Sequence, residues 1–121
     1  REDRRQRQMC KETETALTTN DTAALDALFA DGPLTIRYGT AEILYGKDEI
    51  NAFRAARPSV GLARRLGRTV ITTYGHDFGT ASTLFYRDTA PGKVGRQMQT
   101  WVRFSDGWRV IAAHVSVIEK P

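Results

Sequence analysis

Residues 95–118, GRQMQTWVRFSDGWRVIAAHVSVI, contain two alternating runs that meet at a turn signal. Before the turn, Gln97, Gln99, Trp101 and Arg103 fall on one face and Met98, Thr100, Val102 and Phe104 on the other, because strand side chains alternate. Asp106-Gly107 is a favoured two-residue hairpin connection. After it, Trp108, Val110, Ala112, His114, Ser116 and Ile118 are expected to share one face. An imidazole and a hydroxyl on an otherwise apolar strand face have two explanations: buried structural partners, or a lining for a polar molecule.

The same period of two extends upstream through RRLGRTVITTYG and TASTLFYRD, giving four strands joined near Gly75–Asp77, at DTAPGKVG and at Asp106-Gly107. LTIRYG and AEILYG, around Gly39-Thr40, read as a short hairpin. Helical signals occupy the first half. Residues 1–15 form a charged helix or a frayed segment. Asp21 caps a second helix carrying the stripe Leu25, Leu28 and Phe29, stopped by Gly32-Pro33. GKDEINAFRAARPS is a third helix, beginning near Asp48 and ending before Pro58. Helices followed by a meander predict one α+β domain over residues 16–121: a cone-shaped curved antiparallel sheet with three helices covering one face.

The chain has 121 residues, enough for a single core. Its net charge of +4 is half explained by residues 1–7, which hold four Arg and two acids. The remainder has no Lys/Arg block, which argues against nucleic acid as the partner. Cys10 is the only cysteine and there are two His, so neither a disulfide nor a metal site is expected, and a reducing cytoplasm fits. No apolar run approaches the roughly 20 residues that span a bilayer, and no membrane partner is expected.

The third helix turns Ile50 and Phe53 inward, and the same stripe contains Arg54 and Arg57. These arginines either snorkel past the helix edge, pair with acids elsewhere, or reach a cavity mouth and bind a carboxylate bidentately. Arg37, in the first hairpin, and Arg68 place fixed positive charge on the sheet. Acids are scarce there: between Arg68 and Phe104 only Asp77 and Asp88 occur, both beside turns. A buried-Asp base has no evident place. The inventory of Arg, Gln, Tyr, His and hydroxyls suits recognition of anions.

ALFADGPLTIRYGTAEILYGKDEINAFRAARP, RTVITTYG, APGKVGRQMQTWVRF and GWRVIAAHVSVI, in this order and spacing, resemble the AtzH-like family of the SnoaL-like, nuclear-transport-factor-2-like superfamily. The resemblance implies a homodimer through the sheet with a pocket inside the cone. It implies no cofactor and a setting in s-triazine or ureide catabolism beside an amidase partner. The implied activity is a decarboxylating amidohydrolase, taking 1,3-dicarboxyurea, a small ureido acid, to allophanate; the alternative is a non-catalytic small-anion-binding or amidase-accessory module on the same fold. Carried over by motif, Arg37 of IRYG is the strongest catalytic candidate, with His114 of AAHVS and the neighbouring Tyr38 to manage protons. Arg57 of ARP, Arg68 of RTV, Gln99 of QTW, Arg54, Tyr45 and Ser116 are the substrate-binding candidates. The family commonly has an aromatic, often Tyr, where this chain has Thr13, so a phenolic proton donor is missing there.

Overall fold

The computed structural model describes residues 27–56 and 64–121. Six strands form one sheet: β1 (Ile36–Tyr38), β2 (Ile43–Tyr45), β3 (Arg65–Tyr74), β4 (Phe78–Tyr86), β5 (Lys93–Phe104) and β6 (Gly107–Glu119). Helix α1 (Lys47–Ala56) lies between β2 and β3 in the chain. The spatial order is β2-β1-β6-β5-β4-β3.

The four long strands expected from the period of two form an antiparallel meander, β3 to β6. The last turn is made by Ser105 and Asp106, one residue earlier than the expected Asp106-Gly107, because Phe104 pairs with Gly107, which starts β6 with a φ of 125°. The sheet is nevertheless mixed, not antiparallel throughout. β1 pairs with β2 in the expected hairpin but lies parallel to β6, with Arg37 opposite Ala113. A parallel pair between distant segments has no connecting tight turn, so no local signal announces it.

Among the described residues α1 is the one complete helix. Residues 27 and 28 are helical and end the expected second helix, whose start, like the first helix and Thr13, lies outside the described residues. Phe29 leaves that helix and forms a parallel bridge with Val110, and the Ala30 amide donates to the Val110 carbonyl at 2.9 Å.

The core sits between α1 and one sheet face, here called inner. Trp101, Trp108 and Val110 from the sheet meet Ile50 from the helix and Phe29, all almost fully buried. Lys47, at the start of α1, donates through Nζ to the Phe29 carbonyl at 3.0 Å and to Asp31 at 3.1 Å, tying the helix to the incoming chain.

Two bulges bend the sheet, since an extra residue in one strand kinks it and increases its twist. In β3, Gly67 and Arg68 oppose the single residue Leu84 between the pairs Leu66–Phe85 and Thr69–Thr83, which makes one extra residue. In β6 the extra residue is Ile111, because Trp101 pairs with Val110 while Thr100 pairs with Ala112. The second bulge corrects the simple alternation. Trp108 and Val110 face the core, whereas Ala112, His114, Ser116 and Ile118 face the opposite, outer side.

Candidate functional site

Directly opposed residues of paired strands share a face, so the register defines rows of side chains across the sheet. One inner row is unbroken over all six strands: Leu44, Arg37, Ala113, Gln99, Ala81 and Ile71. Arg37 and Gln99 flank Ala113, the smallest side chain available besides glycine. Their Cα atoms are two strand spacings apart, roughly 10 Å. Two long polar side chains thus rise on either side of a methyl group that is itself part of the core.

The polar ends in this region are already oriented. Trp101 Nε1 donates to Gln99 Oε1 at 3.1 Å, in a buried contact. An indole N–H only donates, so the bond fixes which end of the Gln99 amide is its carbonyl. On the next inner row, Arg64 Nη2 donates to Gln97 Oε1 at 3.1 Å, and a guanidinium too only donates. Both glutamine carbonyls are therefore engaged, and both NH2 ends remain to donate. With the guanidinium of Arg37, the region offers donors.

Arg37 is held from two sides. It makes a charged hydrogen bond to Glu42, and its guanidinium lies 5.7 Å from the centre of the Phe53 ring on α1. The side chains of Arg37 and Glu42 are only 13% and 15% exposed, so the pair belongs to the inner layer. Gly39 allows this arrangement: a Cβ there would collide with the Glu42 carboxylate. A guanidinium has five N–H donors, and one contact with Glu42 leaves others for an anion.

Of the remaining expected site residues, Arg54 also turns inward; it is 4% exposed, with its guanidinium 4.8 Å from the Phe29 ring centre. Arg57 lies outside the described residues. Arg68 is exposed in the β3 bulge, with β6, β5 and β4 between its strand and that of Arg37. His114, Tyr38, Tyr45 and Ser116 are together, but on the outer face. Tyr38 and Tyr45 share a hydrogen bond between their hydroxyls at 2.8 Å, and Tyr38 meets the His114 ring edge to face at 6.3 Å. The hydrogen bond with Tyr38, followed by Coulombic coupling to it, raises the Tyr45 pKa above its usual 10.0. Arg96 Nε donates to Ser116 Oγ at 3.1 Å.

Glu42, Arg64 and Gln97 were not among the expected site residues. Glu42 had a local signal, an acid five residues after Arg37 across a tight hairpin. Arg64 and Gln97 are 33 residues apart, and only the β-meander brings them together. Among the described residues, no group of three or more His, Cys, Asp and Glu side chains gathers as a metal site. No helix there is long and apolar enough to cross a membrane.

The AtzH-like family model matches residues 4–121. A solved structure of a protein of unknown function from Pectobacterium atrosepticum is 59% identical, with a TM-score of 0.86 over 88% of this chain and 83% of that one. A cystatin-like fold protein from Burkholderia xenovorans is 49% identical, with a TM-score of 0.90 over 95% and 90% of the two chains. An NTF2-like protein of unknown function from Pseudomonas putida shares the fold at 18% identity, with a TM-score of 0.76 over 94% and 84%. No curated protein matches the chain.

Proposed function

The chain belongs to the AtzH-like family, and on that footing we propose that it takes a small carboxylated urea or amido acid between α1 and the inner sheet face and removes one carboxyl group. The observation that carries this reading is that the NH2 ends of two inner-face glutamines are left to donate on the face that holds the Arg37 guanidinium. Arg37 and the NH2 ends of Gln97 and Gln99 present N–H groups to a ligand whose carboxylate and carbonyl oxygens only accept. Arg37 supplies the positive charge and a bidentate geometry for a carboxylate. The amide donors hold charge as it builds on oxygen, an electrostatic contribution made without a nucleophilic side chain.

With 1,3-dicarboxyurea, the bond between one terminal carboxyl carbon and its nitrogen breaks. The carboxyl leaves as CO2, the nitrogen takes up one proton, and allophanate remains. The proton comes from water, and Glu42 holds the Arg37 guanidinium in place. His114 and Tyr38 face away from this row, and their contribution falls to the outer face.

That outer face carries exposed Ile43, Val70, Tyr74, Phe78 and Met98, with exposures from 47% to 68%. An apolar sheet face of this kind fits a second copy of the chain, giving a homodimer. A reducing cytoplasm and a neighbouring amidase complete the reading.

The test is incubation with 1,3-dicarboxyurea and malonamate, following bicarbonate. The unaltered chain releases product and Arg37→Ala falls by about 100-fold, as when one donor to a developing oxyanion is lost. No product above the Arg37→Ala control rejects catalysis. If these acids then raise the melting temperature of the unaltered chain but not of Arg37→Ala, the protein is a binding module on the same residues.

A further inference from the structure

A groove of about 610 Å³ opens on the outer face where β3 to β6 run out, away from the Arg37 row. Its floor is apolar, made by Leu84, Val94 and Ile118, with the Tyr86 ring on one side. Arg65, Arg96, Lys120 and Pro121 stand around it, with no Asp or Glu among the described residues that line it. The cationic centres of Arg65 and Lys120 lie 5.6 Å and 5.3 Å from the Tyr86 ring centre. A cation held over an aromatic face keeps its full charge. The acid nearest in sequence, Glu119, is paired with Lys93. Arg96 uses Nε on Ser116, and its two NH2 groups remain.

Three like charges around an apolar floor are mutually repulsive until an anion joins them. A neutral apolar molecule would leave that repulsion in place, and a small polar anion would leave the floor wet. We propose that this groove binds an amphipathic carboxylate: an aromatic or short acyl group on Leu84, Val94 and Ile118, with its charged end toward Arg96 and Lys120. The volume falls within the range of small-molecule sites, roughly 300–1,000 Å³. The ligand class differs from the small, wholly polar acids proposed for the inner face, and the two sites lie on opposite sides of the sheet.

Calorimetric titration of the full chain with 2-naphthoate and with neutral 2-naphthamide separates charge from apolar contact. The expected result is 1:1 binding of naphthoate, at least tenfold tighter than naphthamide and weakened by salt. The double variant Arg96→Ala/Lys120→Ala lowers affinity about tenfold, whereas Arg96→Lys/Lys120→Arg retains it. Arg37→Ala leaves it unchanged, so failure here is distinct from failure of the inner site. Equal binding of the two probes, loss on Arg37→Ala, or an affinity that falls as protein concentration rises because a second copy closes the groove would each overturn the proposal.

Discussion

Two neighbouring rows of the sheet differ by a single residue step in every strand. The inner row runs Leu44, Arg37, Ala113, Gln99, Ala81, Ile71; the outer one runs Ile43, Tyr38, His114, Met98, Ser82, Val70. In the first, Leu44, Gln99, Ala81 and Ala113 are all at most 9% exposed, while in the second Ile43, Met98 and Val70 are all at least 47% exposed. Hydrophobicity alone does not separate them, since the outer row is the more apolar. What separates them is cover. α1 and Phe29 pack on the inner face, so its polar groups are held by specific partners: Arg37 by Glu42, Gln99 by Trp101. The outer polar groups bond among themselves in the open.

The largest effect that tests this contrast is on stability. Trp101→Ala removes a fully buried indole and the donor to Gln99, and should cost about 3–5 kcal/mol. Met98→Ala, three positions earlier and outward, should stay within about 0.5 kcal/mol for the monomer. Urea denaturation at low protein concentration checks both, and equal losses would break the contrast.

A smaller effect comes from the inner edge of β5. Gly95 lies under the Phe85 ring, and an added Cβ would run into it. Gly95→Ala should therefore cost about 1–3 kcal/mol through overpacking. Melting curves of this variant beside Arg96→Ala, which alters the outer neighbour, sharpen the comparison; a silent Gly95→Ala contradicts the packing.

The two ion pairs differ in the same sense. Arg37→Ala leaves the shielded Glu42 carboxylate without its partner, an expected loss of about 1–3 kcal/mol. Glu119→Ala breaks a pair whose side chains are 47% and 77% exposed, and should change stability by less than about 1 kcal/mol. Denaturation at low and high salt checks the order.

The smallest effect is a pH dependence on the outer face. Tyr45 has a raised pKa, chiefly from the Tyr38 hydrogen bond, so the folded chain holds that proton more tightly than the unfolded chain. Its contribution is complete below the unfolded value near 10 and is lost as pH rises through the folded value. Ultraviolet titration should show one tyrosine ionising late, and Tyr38→Phe should bring it back toward the ordinary range. An unchanged titration in Tyr38→Phe assigns the delay elsewhere.

These contrasts also show what the sequence made legible. The four long strands, the first hairpin and the helix before Pro58 follow from alternation, turn chemistry and capping, which act within a few residues. The inward position of Arg54 follows from the helical period that buries Ile50. What escaped depends on distant partners. The Ile111 bulge reverses the faces of β6, so His114 and Ser116 share a side with each other but not with Trp108 and Val110. Nothing in VIAAHVS marks where the extra residue falls; the pairing with β5 decides it. The parallel docking of β1 on β6 likewise puts Arg37 beside Ala113, and the Arg64–Gln97 bond needs three strands in place first.

The most direct measurement follows side-chain and backbone resonances of isotope-labelled protein during titration with malonamate, a stable small amido carboxylate. The account predicts shifts centred on the Arg37 guanidinium, the Gln99 side-chain amide and the Ala113 methyl, abolished by Arg37→Ala and retained in His114→Ala. Shifts centred instead on Tyr38, His114 and Met98, surviving Arg37→Ala, would put the site on the other side of the sheet and contradict it.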